Sequence, residues 1–431
     1  DTTRIGCLGN SGGGTQTAYF MAFDSRIKAA AVCSYITTRE RTFELAGPLD
    51  GCVQMPNEGK MGMEITDYMH LFAPKPLLVL SGRYDFVDYT GAQQAYSEAK
   101  QCYTTLGATD HVQLVTEDDG HGISQPKREA AARWFRKWFY KDDQPVQEAP
   151  AAILPPDSLF ATTSGEVNSS FPGEVTVQQH ILQMANTLAG KRQQFLRTVT
   201  NKIFADTLRR LLGITQREQV LAEHTGAIQQ SAWKAEKLLL RCNDQPPLPV
   251  VLIRPATVVK GILICLHDEG KRKLLDSTAF IQSYLQKGYA LLLPDLRGMG
   301  ETADNPEFNH PKFYNKEYRN AISSLHLGKP LLGQRVTDLQ ILLDFLKADP
   351  LFSKCSITVK ASGLTALVAL HAAAVDDRIN HLQVDHYLPS FINIINDVIG
   401  KNGYSYVIPG VLQYYDVPDL LRIVDKRFAI P

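Results

Sequence analysis

No stretch of this sequence is apolar for the roughly 18 residues that would cross a bilayer, so no membrane span is expected. No charge of either sign prevails: Lys+Arg and Asp+Glu are 45 each. That balance argues against nucleic-acid or membrane-surface binding through a basic face. Cysteine is scarce and odd in number, seven, and Cys7, Cys33 and Cys265 lie inside apolar runs. Buried thiols are the plain expectation, and no C-x-x-C pair suggests zinc. No G-K-[ST] follows the glycine-rich stretch near the start, which removes the phosphate-loop reading. No metal or other cofactor is expected. What remains is an ordinary globular composition, 44% hydrophobic over 431 residues, long enough for two domains.

Residues 1–143 alternate short apolar runs with helical patterns. "RIGCLG", "RIKAAAVCS", "KPLLVLSG" and "HVQLVTE" read as strands. "TQTAYFMAF", "GAQQAYSEAKQCYTTLG" and "QPKREAAARWFRKWFY" read as helices. This rhythm predicts an α/β fold, a mostly parallel sheet with helices on both faces. A Pro-rich linker and strapping helices are expected over 144–246, and the α/β rhythm resumes over 247–431.

The two α/β regions share a layout. "ITVKASGLTALVALHAAAVDDRI" resembles "IGCLGNSGGGTQTAYFMAFDSRI", and "DVPDLLRIVDKRFAIP" parallels "EITDYMHLFAPKPLLVL". Setting Ala361 against Ser11 gives an offset of 350, and Asp416 against Glu64 gives 352. Two tandem copies of one fold are expected, the first lacking its opening half and the second its closing half. One permuted domain is disfavoured, because both regions carry the same strand–turn–helix.

Gly9-Asn10-Ser11-Gly12-Gly13 matches G-x-S-x-G between a strand and a helix. There a serine hydroxyl stands exposed at a helix N-terminus, which favours developing negative charge. Ser11 is the expected nucleophile and the Gly12 amide an expected oxyanion donor. The triad order Ser, acid, His then points to Asp85 after the strand "PLLVLSG" and to His121 in "EDDGHGIS". Asp88 competes with Asp85, which lies nearer the strand end. Asp118 and Asp119 read as solvated loop charges, His70 as a packing residue. The second copy sets Ala361 at the nucleophile position and Ser362 one residue out of register, so it reads as non-catalytic. Its "LHDEG", His267–Gly270, looks like the loop that gives the second oxyanion amide in a complete copy.

"RIGCLGNSGGGTQT", "GPLDGCVQMP", "APKPLLVLSGRYDFVDYTGAQ" and "DDGHGISQPKREAAARWFRKW" together resemble bacterial acetyl xylan esterase-like α/β-hydrolases, a branch of the carbohydrate esterases. The resemblance is specific over most of 1–175 and only fold-level over 245–431. It implies Ser11 as nucleophile, Asp85 as orienter and His121 as base, acting on a polysaccharide or oligosaccharide ester. It also implies a periplasmic or secreted setting, in which Cys33 and Cys52 could pair. Arg39 and Arg41, in "SYITTRERTFELAGPLDG", are the candidate contacts for a sugar or uronic acid, with solvated surface charge as the alternative reading. The sequence departs from the family where the strand and loop of the second oxyanion donor should precede Ser11. One such donor is worth about a hundred- to a thousandfold in turnover. A prolyl-oligopeptidase-type peptidase shares fold and triad order, and an inactive fragment or binding module is the reading from another class.

Overall fold

The computed structural model describes residues 1–45, 54–308, 317–397 and 403–428. The chain divides into two units, Asp1–Glu166 and Val167–Pro431. The boundary thus falls at Glu166/Val167, and the two long helices after the Pro-rich stretch belong to the second unit. Among the described residues no helix is long and apolar enough to cross a membrane.

In the first unit the apolar runs form β1 (Ile5–Asn10), β2 (Ile27–Cys33), β3 (Leu77–Gly82) and β4 (Val112–Glu117). They pair in parallel in the order β1-β2-β3-β4, with Asn10 opposite Cys33 and Leu77 opposite Val112. β2 and β3 are apolar almost throughout because helices cover both faces. On one face Ala30, Val32, Leu77 and Val79 pack with Ala18 and Met21 of α1 (Gly12–Phe23). Ile65 and Phe72 of α3 (Ile65–Phe72) and Ala95 of α4 (Tyr89–Thr105) complete that layer; the short α2 (Arg39–Leu45) lies between α1 and α3 in the chain. On the other face Ala31, Cys33, Leu78 and Leu80 meet Ala131 and Trp134 of α5 (Gln125–Tyr140). α5 starts with Pro126 in its first turn and ends at Lys141 in the left-handed region. β1 and β4 are the outer strands, and on β1 Leu8 is 46% exposed.

The second unit holds a seven-stranded mixed sheet. Its strands are β5 (Leu221–Gln229), β6 (Trp233–Arg241), β7 (Leu248–Pro255), β8 (Gly261–Cys265), β9 (Tyr289–Pro294), β10 (Ser356–Ser362) and β11 (His381–Asp385). The order is β11-β10-β8-β9-β7-β6-β5. β5, β6, β7 and β9 pair antiparallel, and β9, β8, β10 and β11 pair parallel. Alternate residues of β8 enter different cores, Ile262 and Ile264 on one face and Leu263 and Cys265 on the other. The helix Asn201–Leu212 buries Phe204, Leu208 and Leu212 against the first of these.

The internal repeat is present, and its register needs a correction. The residue that caps the helix after β10 is Gly363, with φ 67° and ψ −130°. Ser11 caps the helix after β1 with φ 57° and ψ −120°. Gly363, not Ala361, therefore occupies the turn position of Ser11. Positions 363 − 11 and 416 − 64 now share one offset, 352. The same offset relates the Asp24–Arg26 and Asp376–Arg378 ion pairs just beyond the two helices, both 2.6 Å. It also relates Ser11 N–H donating to Cys33 O (3.0 Å) to Gly363 N–H donating to Asp385 O (3.1 Å).

Candidate active site

Ser11 sits where β1 turns into α1, in a backbone region that an L-residue occupies at a cost of about 1–3 kcal/mol. Two neighbours must lack a side chain for the turn to close. A Cβ on Gly9 would collide with the Gly13 carbonyl, and one on Gly14 would lie 2.6 Å from the Cys33 carbonyl. Gly12 and Gly13 would meet nothing, so the steric demand of the motif falls on Gly9 and Gly14. The Ser11 carbonyl accepts from Thr15 N at 2.9 Å, which starts the helix. Gly12, the first residue of α1, is among the amides that have no intrahelical acceptor.

Asp85 follows β3, and its carboxylate is 1% exposed. Its Oδ1 accepts from His121 Nδ1 at 2.8 Å and from Val87 N at 3.0 Å. An ionised carboxylate can only accept, so Nδ1 carries a proton, and it is in the neutral ring that Nε2 has a lone pair to offer. The Phe86 ring stacks on the imidazole, 4.2 Å between centroids and 27° between planes. Asp88 is committed elsewhere: it caps α4 through Gly91 N (2.7 Å) and pairs with Arg41 Nε (3.1 Å). The His121 loop also reaches the elbow through β2. Cys33 Sγ lies 3.5 Å from the Gly122 carbonyl, and the Cys33 carbonyl accepts the Ser11 amide. Ser11, Asp85 and His121 thus all lie at the C-terminal ends of the parallel strands.

The charges on the His121 loop are not all solvated. Asp118 is, at 72% exposed and 2.6 Å from Arg83. Asp119 instead pairs at 2.7 Å with Lys127, whose side chain is 0% exposed. Burial works to raise the Asp119 pKa, but contact with the Lys127 ammonium outweighs it, and the carboxyl lies below its ordinary range. Lys127 Nζ also donates to the Gly122 carbonyl at 3.0 Å. Neither Lys127 nor Phe86 was expected at the site. A signal for Lys127 was present: positions 127, 131, 134 and 138 form one helical stripe, and Ala131, Trp134 and Trp138 are its apolar members.

Arg39 also departs from expectation. It is buried, 2.7 Å from Glu58, and Tyr68 donates to that same carboxylate. Its backbone N–H donates to the Glu64 carboxylate at 2.9 Å, which ties the start of α2 to the start of α3. It serves the core rather than a solvent-facing contact with substrate. Arg41 is partly exposed and shared between Asp88 and Glu44. His70 lies on α3, 3.8 Å from Asp67. Burial pushes the Cys33 thiol pKa up, and Cys52 lies outside the described residues.

At the counterpart turn of the second unit, the loop after β8 arrives as the sequence suggested, but it brings a carboxylate. Asp268 Oδ2 accepts from Leu364 N at 3.0 Å and Oδ1 from Thr365 N at 2.9 Å. A Cβ on Gly363 would collide with that carboxylate.

No protein-family model matches the sequence. The protein named "Putative hydrolase YtaP" of Bacillus subtilis (strain 168) is 21% identical over 238 residues, 51% of this chain and 75% of that protein. Among solved structures the chain is similar to a "putative acetyl xylan esterase" from Bacteroides fragilis NCTC 9343. That similarity has a TM-score of 0.48 and 16% identity, over 59% of this chain and 74% of the other. It is also similar to acetyl xylan esterase 1 from Thermoanaerobacterium sp. JW/SL YS485, with a TM-score of 0.35 and 15% identity, over 55% of this chain and 72% of the other.

Proposed function

We propose that the first unit is a serine carboxylic-ester hydrolase acting on acetyl or related esters of plant polysaccharide. The observation that carries this reading is the 2.8 Å bond between Asp85 and His121, at the same strand ends as a serine in a strained elbow. Ser11 Oγ attacks the ester carbonyl while His121 Nε2 takes its proton. The Gly12 amide, at the positive end of α1, receives the oxyanion. His121 then protonates the departing sugar hydroxyl, and water attacks the acyl-serine by the same route in reverse. Asp85 holds the imidazole tautomer and stabilises the imidazolium as it forms. The resemblance of the segments around these residues to acetyl xylan esterase-like proteins supports the carbohydrate ester. The similarity to a protein named as a hydrolase agrees with the reaction class.

The test is hydrolysis of 4-nitrophenyl acetate, then of acetylated xylan, by the full chain beside Ser11→Ala. Turnover that falls by about a thousandfold or more in the variant is expected. Equal rates in the two proteins would overturn the reading.

A further inference from the structure

A fully buried lysine in the first turn of α5, on the helix face that meets the sheet, needs a reason. Removing an ammonium from water costs several kcal/mol, and α5 otherwise meets the sheet with Ala131 and Trp134. The partners of Lys127 supply the reason. One Nζ atom contacts Asp119 Oδ1 at 2.7 Å and the Gly122 carbonyl at 3.0 Å, on either side of His121 in the chain. The segment between them, Gly120-His121-Gly122, places the imidazole between two glycines, and Gly122 has φ 152°. Such a loop has much conformational freedom to lose, and it holds one geometry only if something outside it fixes both ends. Gly82 leaves room for the clamp: a Cβ there would lie 2.7 Å from both Asp119 Oδ1 and the Gly120 carbonyl. The next residue of α5 extends the grip, with Arg128 Nη1 donating to the Ile123 carbonyl at 2.7 Å.

We infer that Lys127 is a positioning residue for His121, an internal clamp that pins the base-bearing loop from beneath. The inference rests on the proposed role of His121 as the general base. Asp85 fixes the ring at Nδ1 and Phe86 covers one face, while Lys127 fixes the backbone that carries the ring. The charged and titratable groups around the clamp are Asp119, Asp85, Cys33 and His121 itself.

The experiment compares Lys127→Met, Asp119→Asn and the double variant Lys127→Met/Asp119→Asn with the parent chain. A loop displaced by about 1 Å can cost up to about a hundredfold in rate, so Lys127→Met is expected to lower kcat by about ten- to a hundredfold with KM within about twofold. The double variant removes the carboxylate left unpaired by the single change. It should therefore recover the melting temperature while kcat stays low, a split that a merely structural lysine would not give. If kcat returns together with the melting temperature, or if Lys127→Met keeps parental kcat, the clamp is refuted. The low-field proton resonance of His121 Nδ1–H, assigned by its loss in His121→Ala, reads the clamp without reference to turnover. It should broaden or vanish in Lys127→Met and in the double variant, and its persistence would also refute the clamp. Should Lys127→Met fail to fold, the double variant and Asp119→Asn carry the same readouts. A parent chain without Ser11-dependent turnover would count against the esterase reading alone, and the resonance would still decide the clamp.

Discussion

The two elbows of this chain share a backbone and differ in chemistry. Each ends a parallel strand, takes φ near 60° and ψ near −120°, and starts a helix of 12 residues. In the first unit the turn residue is a serine, and the same sheet carries an Asp–His pair beyond the C-terminal ends of β3 and β4. In the second the turn residue is a glycine, and the helix amides beyond it are filled by Asp268. Glycine adopts this conformation at no steric cost, whereas serine pays about 1–3 kcal/mol for it. The strained geometry is thus a property of the strand–helix crossing, and the side chain placed on it decides whether the strain has a use. A carboxylate seated on the two amides fills the place that an oxyanion would need, so the second turn combines a missing nucleophile with an occupied anion site.

The strongest way to break the comparison is to convert the first elbow into the second. Ser11→Gly removes the hydroxyl and the strain together. Esterase turnover is expected to fall by about a thousandfold or more, while stability to urea rises by about 1 kcal/mol. A purely structural serine would give the stabilisation without the loss of turnover. Loss of both stability and turnover would mean that Ser11 holds the fold together, and the contrast between the two turns would collapse.

The reverse conversion should cost stability. Gly363→Ser forces an L-residue to φ 67° and drives its Cβ into the Asp268 carboxylate. About 3 kcal/mol of destabilisation is expected, read as faster amide exchange over residues 364–375 in the full chain. Asp268→Ala relieves the collision but gives up two helix-end hydrogen bonds, worth about 1 kcal/mol. The double variant should therefore cost less than the sum of the single ones. Additive costs would mean that Asp268 and the turn do not share one space.

Much of this contrast was legible in the sequence, and the gaps have physical causes. The apolar runs of β2 and β3 and the glycines around Ser11 are local signals, and they led to the correct strands, turn and helix. Asp85 and Asp88 could not be ranked by chemistry alone, because both follow β3. The fold separates them by giving Asp88 a helix cap and Arg41. Arg39 was misread because its partner Glu58 is 19 residues away and leaves no local trace. The second elbow was set two residues early, since Ala361-Ser362 mimics the motif while only the positive φ of Gly363 marks the turn. β5 was not legible at all: every residue of it is exposed, so no alternation betrays a strand.

Among the matched positions of the helices that follow the two elbows, Tyr19 in the first stands against His371 in the second. Tyr19 is partly exposed, whereas His371 is fully buried. Its Nδ1 bonds the Leu367 carbonyl at 2.7 Å and its Nε2 the Tyr415 hydroxyl at 2.8 Å. The carbonyl can only accept, so Nδ1 carries a proton and a neutral ring accepts from the tyrosine at Nε2. Burial opposes the charged form and lowers the pKa from 6.5 to about 4. The unfolded chain therefore takes up its proton first as the medium is acidified. The contribution of His371 to stability is complete above pH about 6.5 and is lost as pH falls toward about 4. Between pH 7 and pH 5 this amounts to about 2 kcal/mol. The urea midpoint of the parent chain should accordingly fall more steeply over that interval than the midpoint of His371→Gln. Glutamine can donate to Leu367 and accept from Tyr415 but does not titrate. Parallel pH profiles in the two proteins would show that the second unit accommodates a charged imidazole, and the dry interior assigned to its helix would have to be abandoned.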